Sequence, residues 1–159
     1  MKELFDKLSS YNVFNYLLSG IVFAVLAEKF LNYSLLQQNI LIGLFFYYFV
    51  GLIISKIGSL FIEPFLKKIS FTRFVNPRDF VNAANKDEKV KMLLEINNTY
   101  RSLCALFFLL LFLKLYETIC ASFTSLTEWS LMLLIIMLLL IFLVFYKKQT
   151  ALIAERIEK

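Results

Sequence analysis

The sequence predicts an all-α membrane protein: four transmembrane helices as two hairpins, joined by a helical cytoplasmic connector, with the third span extended into the cytoplasm. Three observations predict it. The 159-residue chain is 60% hydrophobic, against roughly 45–50% for an average soluble domain, and a small domain has too little interior to hide the excess. Its apolar residues gather into four runs separated by polar stretches. Of its 17 Lys and Arg residues, only Lys29 and Lys114 fall outside the amino end, the connector with its flanking turn, and the tail. Basic residues stay on the cytoplasmic side of a bilayer, so the bias places both termini and the connector inside.

Residues 1–10 read as an interfacial amphipathic helix, with Leu4, Phe5 and Leu8 on one face and Lys2, Glu3, Asp6 and Lys7 on the other. Residues 11–62 form the first transmembrane hairpin. Its first span covers about Asn12 to Ala27, and Asn12, Asn15 and Ser19 make a polar stripe on it that should face another helix. A tight turn at Asn32-Tyr33-Ser34 leads to a second span from about Leu36. Gly51, Ser55 and Ser59 recur every four residues there, with Gly58 beside them. Small residues at that spacing let two backbones approach, so these four form a helix-packing seam, within the protomer or between protomers; a pore lining is the sharper alternative.

Residues 63–101 are the cytoplasmic connector. Pro64 should bend or weaken the helix where it leaves the membrane, because proline has no backbone donor. Asn76-Pro77 reads as the start of a short helix ending near Ala84. Asn85, with an acid three residues on, reads as the cap of a long helix from about Lys86 to Ala121, since no Gly or Pro interrupts Lys86 to Ser130. The first turns of that helix would stand in the cytoplasm. Arg73, Arg78, Lys86, Lys89 and Leu93 are the candidate partner-facing residues of the connector. Its acids Asp79, Asp87, Glu88 and Glu95 make it a mixed-charge surface, and no specific nucleic-acid binding is expected.

Residues 102–148 form the second hairpin. Lys114 and Glu117, at i and i+3, are an intramembrane charged pair; they are a structural pair or line a path for ions or protons. Ser122 to Ser130 is an expected outer loop with Trp129 at the interface. Leu131 to Phe145 is a leucine-rich fourth span, and residues 149–159 are a cytoplasmic tail. Cys104 and Cys120 are sixteen residues apart on one helix, about 24 Å, so they cannot pair with each other.

No catalytic, cofactor-binding or metal-ligating constellation stands out. The chain has no histidine, which removes the commonest general base and zinc ligand. No glycine-rich phosphate loop or nucleophile elbow is present. The sequence therefore reads as a non-enzymatic protein without a cofactor.

Two short hairpins, Asn12 to Glu63 and Arg101 to Lys148, flank a basic connector. In that plan the chain resembles the small four-span bacterial inner-membrane proteins that serve as membrane components of phage-defence systems. The resemblance is architectural and covers the whole chain; no functional residue is carried over. It implies an oligomeric inner-membrane effector, or an anchor for a soluble cytoplasmic defence partner. A stand-alone ion channel or small transporter is the alternative reading, and an integral-membrane enzyme a third. The expected partners are the lipid bilayer, further copies of the chain and a soluble cytoplasmic protein.

Overall fold

The computed structural model describes the backbone of residues 2–31, 33–71, 83–84, 87–122 and 124–157. All regular structure among these residues is helical. The elements are α1 (Lys2–Leu31), α2 (Ile40–Ile57), a π-helical turn (Gly58–Ile62), α3 (Glu63–Lys68), α4 (Glu88–Ser122) and α5 (Thr124–Ile157). Three segments are long and apolar enough to cross a bilayer: Tyr11–Leu31, Ile40–Lys68 and Lys89–Ala121. A shorter apolar segment, Met132–Lys147, lies within α5. The chain forms two compact units, Met1–Lys114 and Leu115–Lys159.

Several boundaries differ from the sequence expectations. Residues 2–10 continue into the first span without a break, as one 30-residue helix. The cause is visible in the chain, which has neither Gly nor Pro before Gly20 to break the helix. The expected tight turn and the early start of α2 give way to a longer non-helical stretch that ends at Asn39. The Asn39 side chain caps α2, accepting from the backbone N–H groups of Leu41 and Ile42 at 3.0 and 3.3 Å. Tyr47 holds the stretch back against the helix, its hydroxyl accepting from the Gln37 N–H at 2.9 Å. The expected outer loop at Ser122–Ser130 is helical from Thr124 onward.

Pro64 does not end its helix. It offers no N–H to the Leu60 carbonyl, and its ring crowds that oxygen. The backbone responds by widening into a π turn, in which the Glu63 N–H bonds to the Gly58 carbonyl five residues back. Helix α3 follows directly and closes at Ser70. There the Ser70 N–H bonds to the Lys67 carbonyl and the Phe71 N–H to the Leu66 carbonyl, at 3.1 and 3.0 Å. Ser70 has φ 55°, the left-handed conformation usual just past a helix end.

Helix α4 starts close to its expected position, and Asp87 does the capping: its carboxylate accepts from the Lys89 N–H at 2.9 Å. The short helix expected from Pro77, and the Asn85 cap, lie largely outside the described residues. Both cysteines are free thiols. Long apolar side chains such as Ile40, Phe45 and Leu111 are exposed by 72–80%, as bilayer-facing residues are.

Candidate functional site

In the first unit α1 and α2 cross with their backbones in contact. A Cβ built on Gly20 would overlap the Tyr47 carbonyl oxygen, and one built on Gly51 would overlap the Tyr16 carbonyl oxygen. The contact is reciprocal: Tyr16 and Gly20 on one helix mirror Tyr47 and Gly51 on the other, each pair four residues apart. No side chain fits between them, and the approach brings the Cα–H of each glycine toward the opposite carbonyl. Tyr16 packs edge-on against Tyr48, ring centroids 5.6 Å apart.

About two turns further along α2 a second close contact forms. The π turn places Gly58 against α4, where an added Cβ would stand 3.2 Å from the Arg101 carbonyl oxygen and 3.4 Å from the Ala105 Cβ. The α2 seam residues thus meet two different neighbours: Gly51 meets α1 and Gly58 meets α4. Ser55 is buried and Ser59 half-buried. Arg101 itself donates from Nη1 to Glu63 Oε2 at 2.6 Å, a charge-assisted bond between residues 38 apart in sequence. Tyr11 Oη and Thr99 Oγ1 approach to 3.5 Å and set α1 beside α4. One turn further along each helix stand Asn15 and Ser102, and one more turn along α1 stands Ser19.

These last three are deeply buried: Asn15 is 3% exposed, and Ser19 and Ser102 are at 0%. Of the polar stripe, only Asn12 is exposed. Asn15 Oδ1, Ser19 Oγ, Ser102 Oγ and Arg101 Nε are buried with no hydrogen-bond partner among the described residues. A buried polar atom left without a partner costs about 1–3 kcal/mol; Asn15 and Ser19 adjoin Tyr16 and Gly20 at the α1–α2 crossing, while Arg101 and Ser102 lie by Gly58, seven residues further along α2. Ala24, Ala27, Ile54, Ala105 and Leu106 are fully enclosed.

The other predicted residues lie elsewhere. Lys114 stands thirteen residues past Arg101, about 20 Å along α4; it is exposed, and Glu117 is half-buried. Lys89 and Leu93 are exposed on the first turns of α4. Arg73, Arg78 and Lys86 lie outside the described residues. No cluster of three or more Cys, Asp or Glu side chains suited to a metal ion occurs among the described residues.

Sequence reasoning missed Gly20 and the Glu63–Arg101 pair. Both left a trace: the repeated Tyr-x-x-x-Gly spacing in the first two spans, and opposite charges at the connector ends of the second and third. Compared with protein-family models, curated proteins and solved structures, the chain gives no match.

Proposed function

We propose that the chain is a non-enzymatic, oligomeric, multi-pass subunit of the bacterial inner membrane that receives a soluble partner or ligand at its connector. On this reading all four apolar helices span the bilayer, with both termini and the connector in the cytoplasm, as the distribution of basic residues suggests. The output is a change in membrane permeability or the anchoring of the partner, in the manner of a phage-defence membrane component. One observation carries the proposal. The Arg101–Glu63 bond joins the two ends of the connector where they enter the apolar helices. A force applied to the connector therefore acts on α3 and α4 together, through Glu63 and Arg101.

The test is affinity purification of the tagged full chain from its native host. A soluble protein should co-purify in fixed stoichiometry, and the Lys89→Glu/Leu93→Asp double variant should lose it while keeping the thermal stability of the membrane unit. Retention of the protein by that variant would refute docking at the start of α4. A stand-alone channel is the second reading, favoured by the buried polar groups of Asn15, Ser19 and Ser102. Ion flux through the purified chain alone in liposomes would decide for it.

A further inference from the structure

The apolar segment Ile40–Lys68 is 29 residues long, more than a bilayer requires. At about 1.5 Å per residue, roughly 20 residues cross a hydrocarbon core of about 30 Å. Ile40, Leu41 and Ile42 begin the segment with exposed apolar side chains. Counted from Ile40, the core ends near Ser59. The π turn and α3 then lie past it, at the depth of the lipid headgroups, and the chain turns at Ser70.

The side chains at that depth are of two kinds. Phe61, Phe65 and Ile69 recur every four residues, the spacing of one helix side, and Phe71 follows the turn. All four are exposed, by 53–74%. Lys67 and Lys68 form the last turn of α3 and are exposed as well. Glu63, the acid of this stretch, is held by Arg101. What faces outward is therefore apolar and basic.

We propose that Phe61–Phe71 is an interfacial anchor that binds anionic phospholipid at the cytoplasmic leaflet. Its apolar side chains enter the boundary between headgroups and acyl chains, and Lys67 and Lys68 reach the lipid phosphates. Two observations select lipid as the occupant. The stretch continues a bilayer-crossing helix without a gap, and its exposed charge is opposite to that of an anionic headgroup. The anchor takes residues 63–71 away from the connector's docking surface and leaves the first turns of α4 to a soluble partner. The inference rests on the multi-pass reading above.

Fluorescence quenching by brominated lipids tests it on the full chain. The chain is reconstituted in vesicles of phosphatidylcholine, or of equal parts phosphatidylcholine and phosphatidylglycerol, brominated either near the headgroup or near the acyl chain end. Trp129→Phe removes the native tryptophan, and a single reporter replaces it. Phe107→Trp reports on the exposed middle of the third apolar segment, and Phe71→Trp on the anchor. Phe107→Trp should be quenched by deep bromine and Phe71→Trp by shallow bromine. Phosphatidylglycerol should increase the quenching of Phe71→Trp, each lysine strengthening the seating about fivefold, and Lys67→Gln/Lys68→Gln should remove that increase. If Phe71→Trp is not quenched while Phe107→Trp is, the stretch stands in water as a surface for soluble protein, and the anchor alone is overturned. An unquenched Phe107→Trp overturns the multi-pass reading and the anchor with it. Quenching of Phe71→Trp that ignores phosphatidylglycerol, or an increase that survives the double lysine variant, overturns the binding of anionic lipid.

Discussion

Helices α1 and α5 are close in length, 30 and 34 residues, and each carries an apolar stretch, yet their side chains do opposite things. Along α1, Asn15, Ser19, Phe23, Ala24, Ala27 and Leu31 are buried against neighbouring helices. Along the described part of α5, only Ile141 is buried, and leucine after leucine is exposed. Hydropathy does not separate the two. Small and polar residues do: α1 has Gly20 and its flanking Ser and Ala, while Leu131 to Phe145 has no residue smaller than Val144. In lipid, where a leucine is as comfortable against a tail as against another helix, close approach and hydrogen bonding decide which helices associate.

The largest test of that contrast is at the backbone crossing. Gly51→Leu, or Gly20→Leu, forces a side chain into a space held by a carbonyl oxygen, and should cost about 3 kcal/mol or more, the upper end of the overpacking range. Thermal unfolding in detergent should show a destabilised first unit. Leu139→Ala on exposed α5 should stay within about 0.5 kcal/mol of the parent. Equal losses at the two places would break the distinction between a packed helix and a bare one.

An intermediate effect is expected at the ion pair. Arg101→Ala leaves the partly exposed Glu63 without its partner and should cost about 1–2 kcal/mol, discounted from a buried pair because both side chains reach solvent. Glu63→Gln keeps the shape and should cost less. A double-mutant cycle measures the coupling, and additivity of the two changes would show that the contact contributes nothing.

The smallest effect lies where helix packing ends. Ser70 holds a left-handed backbone conformation at the close of α3, and glycine adopts it without steric cost. Ser70→Gly should raise stability by up to about 1 kcal/mol, partly offset by the greater freedom of glycine in the unfolded chain. A fall in Tm would show that the serine makes a contact that outweighs its backbone strain.

Much of the helical layout was legible in the chain. The three long apolar helices follow from hydropathy and from the absence of breakers, and the extended third helix begins and ends within two residues of its expected position. Burial of Asn15 and Ser19 was legible too, because polar groups at helical spacing in an apolar run have nowhere else to go. The start of α2 was not. Leu35 and Leu36 read as its first turn, but Asn39 is the residue that caps it, and local hydrogen bonding outweighed hydropathy. The unbroken α1 shows the reverse error: a change in polarity at Tyr11 marks where the surroundings change, not where the helix stops. The Glu63–Arg101 contact depends on how three helices rotate about their axes, and that information is spread over the whole interface.

The π turn at Gly58–Ile62 also has a consequence for how the chain tolerates change in length. Its wider winding absorbs one residue more than an α-helix of the same rise would hold. Removing a single residue there would restore ordinary winding and leave Glu63 facing Arg101. Removing one from the α-helical part of α2 has no such slack, and would turn Glu63 about 100° away from Arg101 with every side chain of the contact still encoded. The π turn is thus the point at which this stretch of chain tolerates the loss of one residue.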